Sequence, residues 1–200
     1  MNSFPESLED LIARLSKLPG VGRRSAERIA FYILKMGAHE GKILARRILE
    51  VHKDIKPCSL CNNFSTQEVC AICANPRRDR EIVCVVEEPK DILAIEKTSQ
   101  YKGRYYVLLG AISPLEGVGP QDLSIRKLIN RVEKGEIKEV IISTDADNEG
   151  ELTAQFLIEK LSPYKVKIYR IGIGIPLGTQ IEYIDSGTLG RAFLERKPMV

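Results

Sequence analysis

Five cysteines in 200 residues carry the clearest chemistry of this sequence. Four of them form two Cys-x-x-Cys pairs, Cys58/Cys61 and Cys70/Cys73, with eight residues between the pairs. That spacing sets two thiolates on one side of a turn, and two such knuckles complete the tetrahedron that Zn2+ prefers. Two disulfides or a redox pair would use the same residues. A reducing compartment argues against the first and the doubled motif against the second. With all four corners filled by protein, no position is left for water, so a structural Zn2+ is predicted rather than a catalytic one. Its binding would supply folding energy, roughly 10–16 kcal/mol in comparable peptides, to a loop too short and polar to fold alone. The fifth, Cys84, stands in the β-branched run Glu81–Val86 and reads as an inert, small apolar residue of a buried parallel strand.

A second group is cationic. Arg23, Arg24 and, one helical turn on, Arg28 follow Leu18-Pro19-Gly20-Val21-Gly22, a tight turn between two amphipathic segments. Leu8, Leu11, Ile12 and Leu15, with Ser7 as their expected N-cap, have helical spacing; Ala26, Ile29, Ala30 and Ile33 repeat it. Gly20 and Gly22 leave the turn's backbone N–H groups uncovered where the second helix begins, which suits a phosphate. The arginines add charges able to hold neighbouring phosphates without reading bases, so sequence-blind DNA binding is expected. The same residues also fit a plain helix end and turn with solvated arginines.

A third group is acidic. Glu87 follows the strand 82–86, and Asp145 and Asp147 follow the strand 140–143 within Thr144-Asp145-Ala146-Asp147-Asn148-Glu149-Gly150-Glu151. In an open parallel sheet such positions share the carboxyl edge. Three carboxylates converging there suit a hard divalent cation such as Mg2+. A solvated acidic loop at a helix N-terminus accounts for them equally well.

The elements that must position these groups read as follows. After Gly37 a third helix through Ile43, Leu44, Arg47, Ile48 and Val51 should close a small helical unit. His39 and His52, the only histidines, read as surface residues. Beyond Pro76 and the charged run 77–80 the pattern turns to α/β. It runs strand 82–86, helix 91–97, strand 105–109, a Gly/Pro-rich loop, helix 125–132, strand 140–143, helix 152–161 and strand 166–169, predicting a mostly parallel sheet. Net charge is +3, concentrated in residues 1–56, where 11 Lys and Arg face 7 Asp and Glu; residues 81–200 hold 16 against 18. That excess predicts weak, salt-dependent nucleic-acid binding per copy, improved by several copies acting together. No apolar run could span a bilayer and no secretory pattern opens the chain, so a cytoplasmic protein without membrane contact is expected.

L-P-G-V-G with its basic pair resembles the helix-hairpin-helix motif, which contacts the sugar-phosphate backbone. V-V-E-E-P-K-D and S-T-D-A-D-N-E-G-E resemble the two acidic signatures of the Toprim fold, with Glu87, Asp145 and Asp147 at its metal positions. The order of hairpin, four-cysteine element and Toprim domain, together with G-A-I-S-P-L-E-G-V-G-P-Q-D-L and the tail I-G-I-G-I-P-L-G-T-Q-I-E-Y-I-D, resembles the RecR family of bacterial recombination mediators. The resemblance implies an α/β protein in four parts: a helix-hairpin-helix unit over 1–53, a C4 zinc finger over 54–76, a Toprim domain over 80–175 and an oligomerisation tail over 176–200 exchanged between subunits. It further implies a homo-oligomeric clamp without catalytic turnover, acting with RecO and RecF to load recombinase on DNA at single-stranded gaps. Arg24 and Arg28 match its DNA-contact positions, with Arg23 as helper, and Cys58, Cys61, Cys70 and Cys73 its zinc ligands. Many members are less acidic where this chain has D-A-D-N-E-G-E, which keeps a Mg2+-dependent nuclease or primase-like enzyme as the alternative. No Tyr nucleophile stands in a recognisable motif, and the family's partner surface also involves this region, so Glu87, Glu88 and Asp145 suit a basic partner more than they suit catalysis. The tail has been likened to a nucleotide-binding motif, yet no G-x-x-x-x-G-K-[ST] occurs; Ile171–Pro176 reads as a strand end and loop.

Overall fold

The computed structural model describes residues 4–172, 174–196 and 198, so the expectations for Ile173 and the outermost chain ends lie outside the described residues. The chain divides into two compact units, one ending at Ile55 and one starting at Lys56.

The first unit is helical: α1 (Glu6–Leu15), α2 (Arg23–Lys35) and α3 (Ala38–Asp54). Its core is Ile12 from α1 against Ala26 and Ala30 from α2, flanked by Phe4, Leu8, Leu11, Leu15 and Val21. The small alanines let the two helices approach closely, and Phe4 meets Phe31 edge-on at 5.3 Å. Two expectations change here. Ser7 does not cap α1: the helix starts two residues earlier with Pro5 as N-cap, whose carbonyl takes the N–H of Leu8 and Glu9. The second concerns α3, which ends the unit as expected but adds nothing to its core, since none of its residues is buried. Ile48 and Leu49 stay 55% and 70% exposed. Gly37, at φ +86, turns the chain so that Ala38 and Gly41 border an open apolar groove of about 450 Å³ against Leu8, Leu11, Ile33 and Leu34.

The second unit opens with a ribbon of two short antiparallel strands, β1 (Lys56–Pro57) and β2 (Phe64–Ser65), and one helical turn, α4 (Ala71–Ala74). The α/β succession follows as β3 (Asp79–Val86), α5 (Pro89–Lys97), β4 (Gly103–Val107), α6 (Ile125–Glu133), β5 (Glu139–Ile142), α7 (Asn148–Leu161) and β6 (Lys167–Arg170). All pairings in the four-stranded sheet are parallel, in the order β4-β3-β5-β6. Alternate side chains serve two cores. Val83, Val85, Tyr106, Leu108, Val140 and Ile142 pack under Leu128 and Val132 of α6 and Leu157 and Leu161 of α7. Cys84, Val86, Tyr105 and Val107 pack under Ile92 and Ile95 of α5. Cys84 is buried as expected, and burial pushes its thiol up to about 11. Beyond β6 the chain continues as a loop, a 3-10 turn (Ile181–Tyr183) and α8 (Ser186–Leu194). Among the described residues, no helix is long and apolar enough to cross a membrane.

Candidate nucleic-acid interface, metal centre and acidic edge

The turn after α1 is fixed by Val21 N–H on the Leu18 carbonyl (3.0 Å) and by Gly20 at φ +74. Gly22 is the N-cap of α2 in extended conformation, and no side chain caps the helix. A Cβ at Gly20 or Gly22 would meet nothing within 4 Å, so the turn is open on its outer side. The first N–H groups of α2 and its positive dipole end therefore face outward without a built-in anion. The three arginines are not equivalent. Arg23 is drawn to Glu9 (3.0 Å) and Glu27 (3.2 Å), and its hydrogen bond with Glu9 raises its pKa further. Arg24 and Arg28 are exposed and form no ion pair among the described residues. They line an open hollow of about 490 Å³ with Glu27, Phe31, Tyr32 and Lys35, Glu27 being the carboxylate that Arg23 engages. Tyr32 and Lys35 continue the stripe of Arg24 and Arg28 at helical spacing; sequence reasoning passed over them, although the same periodicity points to them.

The four cysteines converge. Their Sγ atoms lie within 4.8 Å of one another and all four residues are buried. Cys61 Sγ stands 3.6 Å from Cys70 Sγ. A tetrahedron built on Zn–S bonds of about 2.3 Å has edges of about 3.8 Å, so the donor set fits a zinc ion. Local hydrogen bonds shape the knuckles: Cys58 N–H donates to the Asn63 carbonyl (2.7 Å), Asn62 N–H to the Cys58 carbonyl (2.9 Å) and Cys70 N–H to Cys58 Sγ (3.3 Å). Asn62 takes φ 60 to make the turn. The neighbouring thiols, Cys61 foremost, hold the Cys73 thiol below its ordinary value. The element docks on the exposed edge of β4, where Val107 N–H donates to the Cys61 carbonyl (2.8 Å) and Asn62 Nδ2 to the Val107 carbonyl (2.9 Å). It thereby blunts a free sheet edge.

At the carboxyl edge of the sheet, Glu87 and Asp145 meet through the backbone: Asp145 N–H donates to Glu87 Oε1 at 2.9 Å. Burial pushes the Glu87 carboxyl up, and the charges of Asp145, Asp147 and Asp91 add to this. Asp147 is the N-cap of α7 and accepts Gly150 N–H at 2.8 Å. Gly150 is required there, since a Cβ would overlap the Asp145 carbonyl. The helix starts earlier than the sequence suggested, at Asn148, and takes Glu149 and Glu151 into its first turn. Among the described residues, the four cysteines are the one group whose ligand atoms cluster as for a metal; the carboxylates of Glu87, Asp145 and Asp147 do not.

Arg170, unforeseen from sequence, holds this edge. It donates to the carbonyls of Ile142 (3.1 Å), Thr144 (2.8 Å) and Asp145 (3.1 Å) and pairs with Glu151 (2.9 Å). Arg191 of α8 reaches Glu151 at 3.4 Å. The hydrogen bond from Arg170 holds the Glu151 carboxyl below the ordinary glutamate range. A lone Arg after an alternating strand carries no local signal of this role.

A parallel α/β domain whose edge strand carries a four-cysteine element, preceded by a helical hairpin unit, defines a class of protein, and comparison with known families agrees with it. Residues 81–172 match the Toprim domain, 8–52 the RecR helix-hairpin-helix, 55–75 the RecR four-cysteine zinc finger domain and 174–197 the RecR C-terminal region. The chain is 47% identical over 193 residues to the "Recombination protein RecR" of Moorella thermoacetica, covering 96% of this chain and 97% of that one. It is 48% identical over 192 residues to that of Acidothermus cellulolyticus, with 96% of each covered. The chain belongs to the RecR family. The zinc finger match and the thiol geometry together support a structural zinc at Cys58, Cys61, Cys70 and Cys73.

Proposed function

We propose that this chain is a DNA-repair and recombination mediator without catalytic turnover. It is a homo-oligomeric clamp that holds DNA without sequence preference and works in the cytoplasm with RecO and RecF, loading recombinase at single-stranded gaps. The names of its relatives support the recombination role. One observation carries the DNA contact: Arg24 and Arg28 stand free beside the uncapped start of α2, over the open turn at Gly20 and Gly22. Arg23, engaged by two glutamates, is an auxiliary contact. The working parts divide as 1–53, 54–76, 80–175 and 176–200. Apolar side chains left exposed on α3, and Tyr183, Phe193 and Leu194 in the tail, support self-association.

The acidic edge is assigned to a basic protein partner rather than to Mg2+. Asp147 already caps α7, and Glu87 already accepts a backbone N–H. The charge that remains outward suits a cationic surface more than a coordination sphere.

Light-scattering mass, measured at low and high salt with and without a duplex carrying a single-stranded gap, tests the clamp. A stable oligomer taking up one DNA is expected. A monomer under all conditions would overturn it.

A further inference from the structure

Helical spacing sets Arg24, Arg28 and Tyr32 in one row along α2, with Lys35 beside it one turn further on. The row runs on the side of the helix away from Ala26 and Ala30, which fill the core of this unit. Tyr32 takes no part in that core, and its side chain stays 67% exposed. Folding therefore does not account for an aromatic ring at this position.

Its surroundings select an occupant. Arg28 and Tyr32 border two open hollows, one of about 470 Å³ with Ser25 and Ile29 and the one of about 490 Å³ with Arg24 and Lys35. Glu27 is the one carboxylate lining either, and Arg23 engages it at 3.2 Å. Arg24, Arg28 and Lys35 form no ion pair among the described residues. The ring thus stands among free cations, a surface that repels a basic partner and that an apolar one could cover only by burying unpaired charge. Cations that track a phosphate backbone, interleaved with an aromatic face on which a base can lie, bind single strands without reading sequence. A paired base shows only its edges in the grooves, so the ring can stack only on an unpaired one. Tyr32 lies eight residues beyond Arg24, about 12 Å along the helix axis. A strand whose phosphates rest at the start of α2 reaches it within a few nucleotides.

We propose that Tyr32 is a base-stacking contact for single-stranded DNA, by which this helix distinguishes a gap from continuous duplex. The proposal rests on the phosphate grip of Arg24 and Arg28 and extends it. The arginines answer phosphates of either form, whereas the ring answers only bases that lack a partner.

The test uses the full chain with three probes: a single strand of mixed sequence, a single strand of the same length carrying abasic sites, and a fully paired duplex. Tyr32→Ala should bind the base-bearing single strand about fivefold or more weakly, with affinity for the abasic strand and the duplex unchanged. Tyr32→Phe keeps the ring and should keep the affinity. The chain contains no tryptophan, so Tyr32→Trp supplies a single reporter. Its emission should be quenched by the base-bearing strand and by neither other probe. Equal binding of every probe by Tyr32→Ala and the unaltered chain would overturn the stacking contact, as would equal losses on all three. A fall in light-scattering mass in Tyr32→Ala would also overturn it, placing the ring between copies of the chain. Should Tyr32→Ala fail to fold by thermal melt, Tyr32→Trp decides: selective quenching upholds the contact and its absence refutes it. Arg24→Ala/Arg28→Ala, run alongside, separates the two readings. Undiminished binding of all three probes by that variant would refute the grip and this proposal together. Weakened binding there, beside an unaffected Tyr32→Ala, would refute the stacking contact alone.

Discussion

Two helix starts in this molecule offer the same backbone donors and differ in construction. The start of α2 follows Gly22, has no side-chain cap, no acidic residue in its first turn and two unpaired arginines beside it. The start of α7 is capped by Asp147, carries Glu149 and Glu151 in its first turn and is tied to β6 by Arg170. Both present a positive dipole end and backbone donors. At α7 Asp147 already answers one of those donors, the Gly150 N–H, and acidic side chains fill the first turn, so no anion is drawn there. At α2 they are left for an anion to satisfy, with cations placed to help. The lesson is that a helix N-terminus becomes an anion site through what the chain withholds from it.

Breaking the α7 side should cost the most stability. Arg170→Ala leaves Glu151 with Arg191 alone and takes the donors from the Thr144 and Asp145 carbonyls, with an expected loss of about 2 kcal/mol read by denaturant unfolding. Because Arg170 holds the folded Glu151 below its unfolded value, the stability it contributes is present above the ordinary glutamate range and is lost as pH falls through the lowered folded value. The variant should therefore show a flatter acid-side decline in stability. Asp147→Ala removes only the cap and should cost about 1 kcal/mol, without unfolding the sheet. A smaller change sharpens the comparison from the other side. Gly22→Asp gives α2 the cap it lacks, at a position with φ −70 and open space around the new Cβ. It should leave stability the same or raise it by about a few tenths of a kcal/mol, while weakening DNA binding by occupying the donors and repelling phosphate.

How far this could be read from residues alone follows the range of the interactions. The cysteine centre was legible because each knuckle is a local turn and its geometry is written in the spacing. The parallel sheet and the carboxyl-edge placement of Glu87 and Asp145 were legible from the alternating β/α pattern, but the strand order was not. Boundaries shifted where local bonds override periodicity: Asp147 draws the start of α7 back to Asn148, and Pro5 replaces Ser7 ahead of α1. The apolar periodicity of α3 announced a helix but not its partner, and within this chain most of that face stays uncovered. Arg23, Arg24 and Arg28 looked equivalent; Glu27, four residues from Arg23, was a visible hint that Arg23 is engaged, whereas Glu9 comes close only once the hairpin has folded. Arg170 was invisible for the same reason, since it is defined by neighbours distant in sequence.

The most direct measurement is the salt dependence of affinity for unrelated DNA sequences, comparing the unaltered chain with Arg24→Ala/Arg28→Ala. Weaker binding to every sequence alike is predicted, with a slope of log affinity against log salt shallower by roughly two per chain. Unchanged affinity and slope in the double variant would contradict a phosphate grip at the start of α2.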